Sequence, residues 1–164
     1  MTIVQIAAAS LLLFQSAAPA AKNPSAQKPA APKAAASTAA TAAPAATDVG
    51  VTVTYKGKGP VDAGHKIILF AFADPNITSG SRPIGAAQFA SKNGETLTFK
   101  NVTSPIYVFA VYDEKGTYDG VSGPPPAGVP STIYRKAPKG AATAVAPGSP
   151  AVKFAFDDSE RWSK

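Results

Sequence analysis

The sequence contains no cysteine, and it has only one histidine and one tryptophan. The missing thiols exclude disulfides, a lipid-modified cysteine, thiolate catalysis and cysteine-ligated zinc. A hydrolytic triad or a zinc site needs several groups that converge on one point, and His65 is the only imidazole available. A folded domain made from this chain must therefore depend on its hydrophobic core rather than on disulfide cross-links.

Acidic residues are absent before Asp48, where Lys22, Lys28 and Lys33 supply half of the formal net charge of +6. The remainder carries 13 basic and 10 acidic residues. It has no arginine-rich stripe and no interleaving of basic with aromatic residues, so nucleic acid is not an expected partner. The cationic segment favours a solvated spacer over loose attachment to an anionic envelope surface.

Residues 1–21 are predicted to be a signal peptide. The apolar run from Ile3 to Phe14 is shorter than the roughly 20 residues that a membrane span needs. Small residues suited to signal peptidase follow, and cleavage is expected after Ala20 or Ala21. The alternative is a buried N-terminal helix, but no amphipathic pattern continues the run. We therefore expect an exported bacterial protein, periplasmic or extracellular, with no transmembrane segment in the mature chain.

Residues 22–47 consist mainly of alanine, proline, lysine, serine and threonine. Alanine alone would favour helix, but Pro24, Pro29, Pro32 and Pro44 would interrupt most helices. Because there is almost nothing large to bury, the segment is predicted to be a disordered, partly extended linker.

After Val49 the hydrophobic pattern has a period of two, which is typical of half-buried strands. Residues 48–164 are predicted to form one all-β domain, an antiparallel sandwich of seven or eight strands. The run from His65 to Ala73 is the most apolar and is expected to be a central strand covered on both faces. The predicted strands are Val49–Tyr55, His65–Ala73, Ile84–Ala90, Glu95–Asn101, Pro105–Asp113, Ser131–Lys136 and Ala151–Asp158, with an optional eighth at Ala141–Ala146.

The order of the strand motifs resembles the carboxypeptidase regulatory-like and transthyretin-like sandwich domains of secreted bacterial proteins. The likeness rests on "YKGKG" at the end of the first strand, on "ETLTFKNVTSPIYVFAVYDEKG" (Glu95–Gly116) and on "VKFAFDD". Ile106 stands where the family usually has glycine. The resemblance covers Val49 to Asp158 and implies an immunoglobulin-like or transthyretin-like fold but no activity. A hydrolytic branch of the fold, which acts on hydroxyisourate, uses several histidines and a C-terminal Tyr-Arg-Gly-Ser. This chain lacks them, so that activity is not expected.

The acidic loop after the fifth predicted strand has two interpretations. Asp113, Glu114 and Asp119 surround Gly116, and calcium binds closely spaced carboxylate and carbonyl oxygens on a flexible turn. The favoured interpretation is a β-turn that Asp113 starts and in which Gly116 takes a positive φ, because Lys115 would oppose a divalent ion. No other cofactor is expected.

The segment Asp113–Ser131 is longer than an ordinary hairpin loop, and such loops are often functional. Its three consecutive prolines favour a polyproline II conformation. Tyr118, Tyr134 and Trp162 are the candidate ligand-binding residues, which could stack on a sugar or a peptide; Trp162 is also expected to act as a loose cap. The phenylalanines at strand positions are assigned to the core: Phe70, Phe72, Phe99, Phe109, Phe154 and Phe156.

The sequence thus favours an exported, non-catalytic β-sandwich module that serves cell-envelope structure, adhesion or ligand binding, with a cell-envelope glycan or protein as partner. One alternative is a periplasmic hydrolase that uses His65. The other is a calcium-stabilised binding domain that uses Asp113, Glu114 and Asp119.

Overall fold

The structure, a computed structural model, describes residues 47–163. The predicted signal peptide and the predicted linker up to residue 46 lie outside this range, whereas Thr47 begins the first strand. The described part of the chain has no helix long and apolar enough to cross a membrane. Its strands are β1 (Thr47–Tyr55), β2 (Ile67–Phe72), β3 (Gln88–Ala90), β4 (Glu95–Val102), β5 (Tyr107–Tyr112), β6 (Ser131–Ile133) and β7 (Val152–Phe156).

The strands form two sheets, as expected for an all-β domain. One has three strands in the order β4-β1-β7, and the other has four in the order β3-β2-β5-β6. The prediction that all pairs are antiparallel was wrong for β7, which pairs with β1 in parallel, with Val51 opposite Val152. Parallel neighbours require a long connection. Here almost the whole domain lies between the two strands in sequence, which supplies that connection. The period-two pattern within each strand shows which residues share a face, but it does not show whether two strands pair in parallel.

The core between the sheets follows directly from the alternation. In β1, Val49, Val51 and Val53 point inwards and are at most 1% exposed, while the intervening residues are half-buried. In β5, Val108 and Ala110 join the same core, as the pattern predicted. Each fully buried valine stabilises the fold by about 1.5–3 kcal/mol relative to an exposed one. The sheets are therefore held together by apolar contact.

Strand β2 is buried on both faces, which confirms its assignment as a covered central strand. Ile67, Leu69 and Ala71 belong to the core between the sheets. Ile68, Phe70 and Phe72 face the opposite way and enter a second apolar cluster, which also includes Phe109, Val111, Val129 and Trp162. The four-stranded sheet thus has an apolar outer face, and this face is covered by loops rather than by a third sheet.

The turn after β1 contains glycine because tyrosine rings occupy the space around it. Tyr55 and Tyr112 stack with their ring centroids 3.9 Å apart, and Tyr112 donates a hydrogen bond of 2.7 Å to the carbonyl of Pro60. The Tyr55 hydroxyl donates to Asp158. A Cβ at Gly57 would overlap the Tyr55 hydroxyl, so the Tyr-x-Gly motif has a packing role at this end of the domain.

Several strands are shorter than predicted. β3 has three residues rather than seven, because Ile84 donates its amide to Ala71 and the chain from there to Ala87 belongs to a loop. The optional eighth strand is only an isolated bridge between Ile106 and Val145. The segment Ala141–Ala146 forms too few backbone hydrogen bonds with its neighbour to add a strand to either sheet.

Candidate functional site

The outer face of the four-stranded sheet carries a groove with a volume of about 690 Å³. Phe70 and Phe72 of β2 and Phe109 of β5 form its floor, because alternation points these three rings away from the core between the sheets. Two loops, distant in sequence, form its walls. The other lining residues are Ile77, Tyr118 and Trp162, together with residues 78–83 and 120–125.

The first wall is the loop that follows β2, and its own hydrogen bonds fix its shape. Asp74 accepts from the amide of Asn76 at 2.7 Å. Ser81 donates its amide to the carbonyl of Thr78 at 3.0 Å, and its hydroxyl oxygen accepts from the Thr78 amide at 2.9 Å. The hydroxyl-bearing rim of the groove is therefore largely preformed.

The second wall begins at the acidic loop, where Asp113 has a structural role. Its side chain is buried, with 6% exposed, and Oδ2 accepts the amide of Tyr118 at 2.9 Å. The Tyr118 hydroxyl in turn donates to the carbonyl of Gly123 at 2.9 Å. Burial, aided by the charge of Asp119, raises the pKa of Tyr118 to about 12. Asp113 thus holds the Tyr118 ring against the groove.

Asp119 shapes the next turn of the same wall. One carboxylate oxygen accepts the amides of Val121 and Ser122, both at 2.9 Å, and the other accepts the Ser122 hydroxyl. These bonds, that of the hydroxyl foremost, lower the pKa of Asp119 to about 2. Gly120 has a φ of 70° and lies close to Ile68, where a side chain would be both strained and crowded.

The C-terminal segment ties this wall down. Trp162 exchanges backbone hydrogen bonds with Gly128 and Val129, and its ring centroid lies 5.4 Å from that of Phe109. Arg161 binds the carboxylate of Glu114 through two nitrogens, each at 3.2 Å, and also donates to the carbonyl of Gly128 at 2.6 Å. Trp162 is therefore a buried part of the groove, more firmly placed than the loose cap that the sequence predicted.

Tyr134, the third candidate for stacking, lies elsewhere. Its ring packs on Phe154 with centroids 5.5 Å apart, at the margin of the core between the sheets. The structure thus brings Tyr118 and Trp162 together in one groove and places Tyr134 on the other side of the four-stranded sheet.

The three calcium candidates do not converge. Asp113 is bonded to Tyr118, Asp119 to its own turn and Glu114 to Arg161. Arg161 also lies 3.5 Å from Asp158, so the guanidinium pairs with both Glu114 and Asp158. Among residues 47–163 no cluster of three or more acidic or histidine side chains is arranged to hold a metal. Gly116 has a φ of 65°, as the β-turn interpretation predicted.

His65 lies in a turn before β2, away from the groove. Its Nδ1 is 3.1 Å from a carboxylate oxygen of Asp62, and the two side chains are 39% and 50% exposed. The same carboxylate accepts the backbone amides of Gly64 and His65, which lower the pKa of Asp62. His65 and Asp62 thus organise a turn.

The floor of the groove and the arginine at its rim were not predicted from the sequence. Phe70, Phe72 and Phe109 were assigned to a single core, although their alternation with Leu69, Ala71 and Ala110 already separated two faces. Arg82 was not singled out. Its position between Ser81 and Pro83 in a loop does not indicate a binding role, because Arg82 lines a groove only when residues 120–125 form the opposite wall.

A smaller recess of about 350 Å³ adjoins the groove and shares Ile77, Phe109 and Trp162 with it. It extends towards β6, where Arg135 pairs with Glu160 at 2.9 Å. The two concavities therefore run along one face of the sheet.

No family model, no curated protein and no solved structure matches the chain. The groove is therefore the feature from which a function can be proposed.

Proposed function

We propose that the protein is an exported, non-catalytic β-sandwich module that binds a ligand in the aromatic groove, in the service of adhesion or cell-envelope structure. One observation carries this proposal: five aromatic rings from two strands, a long loop and the C-terminal segment meet in one concavity of about 690 Å³. Binding pockets for small or extended ligands typically have volumes of about 300–1,000 Å³ and are lined by apolar rings with a few polar groups.

The rigidity of the walls supports binding rather than simple loop packing. Both loops are held by their own hydrogen bonds, at Ser81 on one side and at Asp113 on the other. A preformed site loses little conformational entropy when a ligand enters. Three serines and a threonine at the rim add polar groups that can select an orientation.

The export and the fold family are part of the proposal. Residues 1–21 support export through their apolar run and small residues. Two packed sheets with an apolar interior are compatible with a sandwich of the carboxypeptidase regulatory-like or transthyretin-like kind. The absence of catalysis is supported by the chemistry of the groove, whose lining includes neither histidine nor carboxylate.

A retention assay with the full chain tests this function. The probes are insoluble peptidoglycan, soluble polysaccharides and proline-rich peptides. Val121, which lines the groove and is 81% exposed, is replaced by glutamate, and Ile84, which is 42% exposed outside the groove, is the matched control. We expect Val121→Glu to lower retention about tenfold, equivalent to ~1.4 kcal/mol, and Ile84→Glu to leave it unchanged. Retention of no probe, or equal retention by Val121→Glu and the unmodified chain, would refute the proposal.

A further inference from the structure

Arg82 gives the aromatic groove its charge. It is the one charged side chain that lines the groove, it is exposed at the rim, and it takes part in none of the ion pairs found among residues 47–163. Its backbone is held on both sides. Ser81, before it, forms hydrogen bonds with Thr78, and Ile84, two residues after it, donates its amide to the carbonyl of Ala71. The groove is thus complementary to an apolar surface that bears a single negative charge.

The surrounding groups narrow the chemistry further. The ring centroids of Tyr118 and Phe70 are 6.3 Å apart, and both rings line the groove together with that of Trp162. The hydroxyls of Thr78 and Ser79 can donate or accept hydrogen bonds, and that of Ser122, which donates to Asp119, can still accept one. From these features we infer that the groove binds an acidic oligosaccharide, with a sugar ring against Tyr118, the half-buried ring among the five that line it, and its carboxylate paired with Arg82. This inference rests on the function proposed above.

Trp162 provides a separate indication. Its Nε1 is the buried side-chain donor that has no hydrogen-bond partner among the described residues. Buried polar groups are nearly always hydrogen-bonded, so an unpaired one in a native protein needs an explanation, such as a functional role or an ordered water or ion. The residue lines both the groove and the adjoining recess. A sugar carries many acceptor oxygens, so it offers the kind of group that this indole lacks.

The shape favours a chain of sugars over a single one. The recess that shares Ile77, Phe109 and Trp162 continues the groove towards β6. Its own charges, Arg135 and Glu160, are already paired. A neighbouring sugar unit can therefore extend along the sheet, while the charge selection stays at Arg82.

A peptide strand fits this face less well. The groove lies over β2 and β5, which are interior strands with backbone partners on both sides. A peptide cannot extend the sheet there, because strand addition needs a free edge. A polyproline ligand could dock on the rings, but it would give Arg82 no partner. The experiment therefore includes a proline-rich peptide and compares its binding with that of the acidic polymers.

The experiment compares ligands that differ only in charge. Affinity electrophoresis of the full chain is run in polygalacturonate, in the same polymer with its carboxyls methyl-esterified, in alginate and in hyaluronan, and titration uses a proline-rich peptide. The variants are Arg82→Gln and Arg82→Lys, with Lys92→Gln as a control that removes an exposed positive charge elsewhere.

We expect at least one acidic polymer to bind and Arg82→Gln to weaken it about three- to tenfold, because an ion pair at an exposed site contributes modestly. Arg82→Lys should recover part of the loss, and Lys92→Gln should change affinity less than about twofold. Equal binding of polygalacturonate and its ester, equal loss in the two glutamine variants, or binding of the peptide alone would overturn the inference. If the methyl ester or the peptide binds and Val121→Glu weakens that binding, the proposed binding function stands although the inference about charge fails. If no probe binds, both proposals fail.

Discussion

Replacing Asp113 with alanine is expected to destabilise the domain and to disturb one wall of the groove. The carboxylate is buried at the end of β5, and it is the acceptor for the amide of Tyr118 at 2.9 Å. Alanine would leave that amide without its partner. An unpaired, largely buried polar group costs about 1–3 kcal/mol. For a domain of this size, this free energy corresponds to a loss of roughly 4–12 °C in the midpoint of thermal unfolding.

Two further variants isolate the cause. Asparagine at position 113 keeps an oxygen acceptor in the same place, so most of the stability should be retained. Asp119→Ala removes an exposed carboxylate from the same loop and should cost less than Asp113→Ala. The assay is urea unfolding followed by Trp162 fluorescence, combined with thermal melting by circular dichroism. Asp113→Ala should also weaken ligand retention, because Tyr118 lines the groove.

Two results would refute this reasoning. If Asp113→Ala unfolds at the same urea concentration as the unmodified chain, the hydrogen bond to Tyr118 does not stabilise the loop. If Asp113→Asn is as damaging as Asp113→Ala, and calcium raises the melting midpoint while EDTA lowers it, the carboxylate acts as a metal ligand. We expect EDTA to leave the midpoint unchanged.

Three further predictions concern packing, pH and the environment of the tryptophan. Gly57→Ala should cost about 1–3 kcal/mol in urea unfolding because its Cβ would overlap Tyr55, whereas Gly80→Ala, with space for a methyl group, should be nearly neutral; equal losses would contradict this. Asp119, with its pKa lowered to about 2, stabilises the fold above roughly pH 4, the unfolded value. This contribution disappears as the pH falls towards 2, so the difference in urea midpoint between the unmodified chain and Asp119→Ala should shrink there. The fluorescence of Trp162, 8% exposed, should be blue-shifted and poorly quenched by acrylamide until unfolding; easy quenching in the native state would place it outside the groove.

Part of the candidate site could be predicted from the sequence. Tyr118 was identified because it lies beside the proline-rich loop, and Trp162 because it follows the last predicted strand. Tyr134 has the same composition signal, yet it faces the core between the sheets. Two residues of the same type near the same loop are indistinguishable until the path of the chain is known.

The acidic loop shows a similar limit. Residue types and spacing allowed both a turn and a calcium site at Asp113–Asp119. The turn followed from local chemistry, and Gly116 has the positive φ that such a turn requires. The structure adds a partner for one of these carboxylates, since Arg161, which comes 47 residues after Glu114, pairs with it. Local sequence contains no information about that partner.

The sequence by itself indicated an all-β domain and the approximate positions of its strands, because a period of two in side-chain polarity is a property of consecutive residues. The alternation of Phe70 and Phe72 with Leu69 and Ala71 is visible in the sequence, although the phenylalanines were all assigned to the core. The tertiary structure alone decided which face became a closed core and which a groove, since that depends on two loops from distant parts of the chain folding over the same sheet. It likewise decided the parallel pairing of β1 with β7, because backbone pairing between distant strands is set by the packing of the whole domain.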